Sequence, residues 1–122
     1  MEKVRLTDAF ASIDERWDPH LAGELNGQAV KLAKAEGDFV WHSHADADEL
    51  FLVTEGRLRI EFRDRDDVTL EAGELLVVPR GTEHRPVAEP EAHMLLFEPA
   101  GTRNTGDVEN ELTREELERV DG

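Results

Sequence analysis

Apolar and polar residues alternate through much of the middle of this chain. In Arg57-Leu58-Arg59-Ile60-Glu61-Phe62 the fit to a period of two is complete. Leu58, Ile60 and Phe62 share one face, and Arg57, Arg59 and Glu61 share the other. The same rhythm predicts strands at Leu21 to Leu25, Ala29 to Ala35, Phe39 to His44, Glu49 to Thr54, Val68 to Leu70, Leu75 to Val78 and Met94 to Phe97. Asn26-Gly27 between the first two is a strong hairpin signal. Glu36-Gly37-Asp38, Glu55-Gly56, the charged stretch 63–67, Ala72-Gly73, Pro79-Arg80-Gly81 and Glu89-Pro90 separate the rest. Many short strands punctuated by Gly and Pro argue for a sandwich or a small barrel. Phe51, Ile60, Val78 and Phe97 are its expected core.

The ends read differently. Leu6 to Ile13 suits a short helix with Thr7 or Asp8 near its N-cap, ended by Trp17-Asp18-Pro19. After Pro99 an extended arm is expected. Thr113 to Glu116 has the capping-box spacing that would open a short final helix through Val120.

With 122 residues the expectation is a single domain spanning 1–122. Its barrel core covers about 20–99, and the arm and short helix cover 100–122. No apolar run approaches the roughly 20 residues of a membrane helix. The first residues lack the apolar stretch of a secretory signal, so a cytoplasmic, non-membrane protein is expected. The absence of cysteine removes thiolate ligands, thiol nucleophiles and disulfides. Twenty-nine acidic residues against 14 Lys and Arg give a formal net charge of −15. Such a surface repels nucleic acid and anionic lipid. It suits either a soluble acidic protein or one adapted to a salt-rich cytoplasm. A rise in stability from low salt to molar KCl would mark the second.

Candidate chemistry concentrates on four residues. His42 and His44 stand at i and i+2, so in a strand both imidazoles face one way. Glu49 follows shortly, and His84 comes from a distant segment. Three imidazoles and a carboxylate make a plausible metal site. On a solvated face they would be ordinary polar side chains. Lining an apolar barrel they would need a cation to satisfy them together.

The two segments resemble the two signature motifs of the cupin superfamily. The first is commonly Gly-x5-His-x-His-x3-or-4-Glu-x6-Gly. Here Gly37-x4-His42-x-His44-x4-Glu49-x6-Gly56 differs only in a first glycine one residue closer. The second, Gly-x5-Pro-x-Gly-x2-His-x3-Asn, is met by Gly73, Pro79, Gly81 and His84, with Ala88 in place of the final Asn. The resemblance implies an all-β, double-stranded β-helix (a jelly-roll barrel), here with short terminal helices, often a homodimer. It carries over His42, His44, Glu49 and His84 as metal ligands. The ligand set suits Fe, Mn, Ni, Co, Cu or Zn as a divalent ion. An octahedral arrangement would leave two positions open, whereas a closed tetrahedral zinc would leave none.

Among other residues, Asp46 and Asp48 read as a solvated loop more readily than as a base or extra ligand. His20 and His93 fit surface or satisfied-strand roles. Arg57, Arg59 and Arg85 could hold an anion, but alternation favours a cross-strand ion-pair face for Arg57 and Arg59. Trp41, opposite His42, is expected between sheets or in a dimer contact. The functional expectation is a small metal-dependent enzyme acting on a small polar molecule, of isomerase, lyase or dioxygenase type. The alternative is a non-catalytic metal-loaded module that binds or senses a small ligand. A metal-free structural barrel is a third reading.

Overall fold

The computed structural model describes residues 1–120, so the last two residues of the expected arm lie outside it. In chain order the elements are α1 (Leu6–Ala11), β1 (His20–Leu25), β2 (Gln28–Asp38), β3 (Glu49–Phe62), β4 (Val68–Glu71), β5 (Leu75–Val78) and β6 (His84–Pro99). The strands form one antiparallel, six-stranded sheet in the order β1-β2-β6-β3-β4, with β5 on β3. Its curling gives the jelly-roll barrel that the resemblance implied, one of the two architectures the alternation left open.

The long strand β3 merges two expected strands, and β6 extends the expected strand Met94 to Phe97 back to His84. Glu55-Gly56 is not a turn between strands but an irregularity within β3. The pairing with β6 slips there, between Val53 and Glu55 and between Gly56 and Leu58. Gly56 has φ 80°, and a Cβ on it would collide with the Glu91 carbonyl oxygen. Only glycine permits this close crossing. Likewise Glu89-Pro90 lies inside β6 rather than between strands.

Inward residues of the sheet, Ala33, Phe51, Val53, Leu58, Ile60, Val78, Met94 and Leu96 among them, form the main core. Burying each large aliphatic side chain fully contributes about 1.5–3 kcal/mol. On the outer face Ala9 and Phe10 of α1, with Ile13 just beyond it, cover Leu32. Phe97, expected in the core, lies half-exposed on that outer face, and its neighbour Glu98 points inward.

Three further expectations change. The stretch from Phe39 to His44 is not a strand. The β2–β6 ladder stops after Asp38 pairs with Val87, because Pro86 has no N–H to return to Phe39. The N-cap position of α1 is Arg5 rather than Thr7 or Asp8 and carries no side-chain capping hydrogen bond, and Asp8 in the first turn pairs with Arg5 at 3.4 Å. No helix forms over residues 113–120. The Thr113 hydroxyl accepts from the Asn110 N–H (3.0 Å) and pairs with Thr105 Oγ1 (2.7 Å), while the Arg114 N–H is taken by Asn104. The Leu21 N–H then donates to the Glu118 carbonyl (2.8 Å) and the Val120 N–H to the Leu21 carbonyl (2.9 Å), along the free edge of β1. Satisfying a sheet edge outweighs a short helix with only Leu117 and Val120 as apolar contacts. No helix among the described residues is long and apolar enough to cross a membrane.

Candidate metal centre

His42, His44, Glu49 and His84 converge although only Glu49 and His84 belong to strands. A two-residue bridge does the joining. The His42 N–H donates to the His84 carbonyl (3.0 Å), and the His84 N–H donates to that of His42 (2.9 Å). Gly81, at φ 76°, donates to the His44 carbonyl at 2.9 Å and ties the second histidine to the turn before His84. One ligand atom from each of the four residues lies within 4.8 Å of the others.

The ring orientations are set from behind. Nδ1 of His42 meets the Val40 carbonyl, and Nδ1 of His84 meets the Thr82 carbonyl, each at 2.9 Å. A carbonyl only accepts, so Nδ1 carries the hydrogen and Nε2 presents a lone pair to the cluster. Glu49 Oε1 stands 3.5 Å from Nε2 of both His44 and His84. These three atoms are buried with no hydrogen-bond partner. Orphaned buried donors and acceptors are costly, and one cation placed among them would satisfy all three. The residues present therefore fit a divalent metal.

Electrostatics prepare the same state. Burial, and next the neighbouring His84, push His42 down to about 4, so it is neutral near pH 7. For Glu49 burial alone would raise the pKa. The imidazoles of His44 and His84 and the carboxyl of Glu98 close by outweigh it and hold the Glu49 carboxyl well below the usual range. Neutral imidazoles and an ionised carboxylate are the forms that bind a metal.

A cavity of ≈ 30 Å³ opens beside His42 and Glu49. It has room for roughly one or two water-sized groups. Trp17, Phe39, Phe51, Met94 and Leu96 make its wall apolar, and Asn104 brings the arm to it. Trp17 has φ 60°, the left-handed region that a bulky residue rarely occupies, at a cost of about 1–3 kcal/mol. It is held there by its N–H on the Lys34 carbonyl (2.7 Å), its indole N–H on the Glu36 carbonyl (2.9 Å) and its stacking on Phe39. The arm is pinned over the rim. Ser43 and Asp107 exchange two hydrogen bonds, and Gly106 sits so close to the Ser43 carbonyl and the His42 ring that a Cβ would not fit.

These features, on this sheet, decide the family: the chain matches the cupin domain family (Cupin_2) over residues 28–98. This chain is a cupin-domain protein. It is 47% identical to YdbB of Bacillus subtilis over 86 residues, 70% of this chain and 76% of YdbB. A crystal structure of a cupin-2 domain protein from Shewanella frigidimarina aligns with TM-score 0.76 and 46% identity, covering 79% of this chain and 93% of that one. The hydroquinone 1,2-dioxygenase PnpCD, in complex with Cd²⁺ and 4-hydroxybenzonitrile, shares the fold at TM-score 0.66. It is 23% identical, over 75% of this chain and 69% of that one.

The remaining candidates lie outside the cluster. Asp48 accepts from the Arg80 backbone N–H (2.9 Å) and its guanidinium, bracing the loop, and Asp46 is exposed. Arg57 pairs across strands with Glu71, and Arg59 and Arg85 both hold Glu61. Trp41 packs neither between sheets nor under strands; the Arg63 guanidinium lies 3.8 Å above its ring. His20 pairs with Asp18, and His93 stacks on Phe10 between Glu55 and Glu91. Two inward groups escaped the sequence reading, Lys31 and Glu98. The Lys31 ammonium meets the Glu98 carboxyl at 2.7 Å, both buried, beside Glu49. Burial first, then the charge of Glu49, pushes Glu98 up to about 9 against the pull of Lys31.

Proposed function

We propose that this cupin is a divalent-metal-dependent enzyme, with His42, His44, Glu49 and His84 as ligands, acting on a small molecule in the Trp17–Phe51 cavity. The supporting observation is the set of three orphaned buried atoms, His44 Nε2, Glu49 Oε1 and His84 Nε2, facing one point. A bound cation would supply Lewis-acid polarisation or, as Fe(II), reaction with dioxygen. The cavity meeting two of the four residues favours open coordination positions over a closed tetrahedral zinc.

The wall also narrows the ligand. It departs from the expected polar molecule, since it suits an apolar body with one polar group turned to His42 and Glu49. Proton-shuttling isomerase or lyase chemistry needs an acid–base side chain next to the substrate. The polar wall residues are His42, Glu49 and Asn104, and Asp48 is turned to Arg80. That balance favours oxidation by dioxygen. A ligand larger than the cavity would have to move the arm at Asn104. This enclosure is what favours the second reading, a non-catalytic module that holds a small apolar ligand at the metal.

The deciding experiment has two stages. The protein is reconstituted with each divalent metal and its content measured after desalting. Near-stoichiometric Fe, Mn, Ni, Co, Cu or Zn is expected; no retention of any of them sinks every metal-based reading. Oxygen uptake by the Fe(II) form is then recorded with small phenols and enols against sugars and polyols. Uptake with the first group alone supports the dioxygenase reading. Quenching of Trp17 fluorescence without uptake supports the binding module.

We also infer a homodimer through the outer face of the sheet. Val77, Leu50 and Phe97 lie in one cross-strand row, and Leu75 and Leu52 in the next, all half-exposed or exposed. In a chain of net charge −15 this patch is free of charge, the composition expected of an interface core.

A further inference from the structure

Burying one carboxylate at a metal site has an evident use; burying a second beside it does not. Glu98 is 1% exposed and Lys31 3%. In the β3–β6 ladder Leu50 pairs with Phe97, so Glu98 comes opposite Glu49 at the end of that ladder. Like charges directly opposite in a sheet are destabilising. On the far side of Glu98, Ala29 is its partner in β2, and Lys31 stands two residues along the strand. The Lys31 ammonium donates to Glu98 Oε1 at 2.7 Å and to the Thr102 carbonyl of the arm at 3.0 Å. Glu98 Oε2 is buried and has no hydrogen-bond partner.

A buried Lys–Glu pair replaced by apolar residues of similar volume is often neutral or stabilising, so stability alone does not explain its presence. Placement does. Glu49 must turn Oε1 toward His44 and His84, and a flexible glutamate in an apolar shell has no other partner on its opposite side. We propose that Glu98, gripped by Lys31, is a positioning residue for Glu49. Its carboxyl, held from across the strands, backs the Glu49 side chain and fixes Oε1 at the point where the three imidazoles converge. The chain Lys31–Glu98–Glu49 thereby ties the arm, through the Thr102 carbonyl, to the metal rim.

The inference rests on the metal reading above, and cobalt separates the two. Co(II) binding to the full chain is titrated by its visible absorption, with thermal unfolding of the metal-free forms alongside. Glu98→Leu is expected to weaken Co(II) by about 10–100-fold and to alter the band shape, as loss of an outer partner of a ligand does. Glu98→Gln keeps the length of the side chain and a polar group behind Glu49. It is expected to stay within about threefold of the wild type and to keep the wild-type spectrum. A purely structural role would shift thermal unfolding in both variants and leave the spectrum alone. Glu98→Leu binding Co(II) as tightly as wild type, with an unchanged spectrum, overturns the proposal while leaving the metal reading intact. A wild type that takes up no Co(II) overturns both. If Glu98→Leu does not fold, Lys31→Met decides: an altered Co(II) spectrum supports the relay, and a wild-type spectrum overturns it.

Discussion

The two faces of the β3–β6 ladder differ by one residue of register and break the ordinary rule of burial in opposite directions. Facing inward, Glu49, Glu98 and Lys31 put three ionisable groups in a core of Phe51, Met94 and Leu96. Facing outward, Leu50, Leu52 and Phe97 leave apolar surface half-exposed beside Leu75 and Val77. Buried polar groups and exposed apolar patches are the two departures that carry functional information. A strand has only two faces, so a chain that binds both a metal and a partner on the same ladder must alternate the two kinds of exception residue by residue. The same alternation isolates them, because neighbouring side chains point 180° apart. Inner and outer variants should therefore have separable effects.

The largest effect is expected at the inner face. Glu49→Ala removes the carboxylate between His44 and His84, so metal affinity should fall by more than the hundredfold that losing an outer partner can cost. Equilibrium dialysis against Co(II) or Mn(II) measures it. The wild type should also gain about 2.7 kcal/mol of unfolding free energy at a metal concentration 100 times its Kd, and Glu49→Ala should gain almost none. An unaltered affinity in Glu49→Ala would remove this carboxylate from the site.

Next in size is the pH response of the metal-free protein. Unfolded His42 takes its proton near pH 6.5, whereas folded His42 refuses it until about 4. Between those values the unfolded state binds more protons, so this group makes stability rise with pH, by at most about 3 kcal/mol from pH 4 to 6.5. Glu98 works in the other direction. Its folded pKa is raised to about 9, so its contribution is complete below 4.5 and is lost as pH rises toward 9. The two must be separated by subtraction. The difference in unfolding free energy between wild type and His42→Gln should climb across pH 4 to 6.5, and a flat difference would show that His42 is not buried neutral.

How far this contrast could be read from the chain alone depends on parity. In Arg57 to Phe62 one face is charged, so the inward set was legible, and the two histidine motifs were legible because ligand types recur at fixed spacing. In Met94-Leu95-Leu96-Phe97-Glu98 both faces are apolar. Nothing local tells which parity faces inward, so Phe97 was placed in the core and Glu98 was passed over. Lys31 hides likewise, one of two lysines in the run Ala29 to Ala35, although Ala29, Ala33 and Ala35 share its face. The final helix failed for another reason. Its capping pattern is a local signal, and the free edge of β1 that competes with it is tertiary. The cavity wall was invisible because Trp17, from the segment before β1, joins Asn104 from the arm only in the folded chain.

The smallest effect should come from the outer face, and it is the sharper test of independence. Val77 is 50% exposed and pairs with Leu50, while its neighbour Val78 is 2% exposed and points inward. Val77→Asp costs little burial in the monomer, so folding should survive with a change within about 0.5 kcal/mol. In a dimer built on this face it brings an extra negative charge from each copy into an apolar contact. The dimer dissociation constant should rise by at least about tenfold, or ~1.4 kcal/mol, and analytical ultracentrifugation at a series of concentrations reads it. Raised salt should recover only part of the loss, because charges buried in the contact are poorly screened. Co(II) affinity and spectrum should stay at wild-type values, since the side chain projects away from Glu49. A variant that stays dimeric removes the outer face from the interface. A variant that becomes monomeric and also loses Co(II) would show that the partner's approach, through Leu50 and Phe97, helps to set Glu49 and Glu98 on the other side of the same strands.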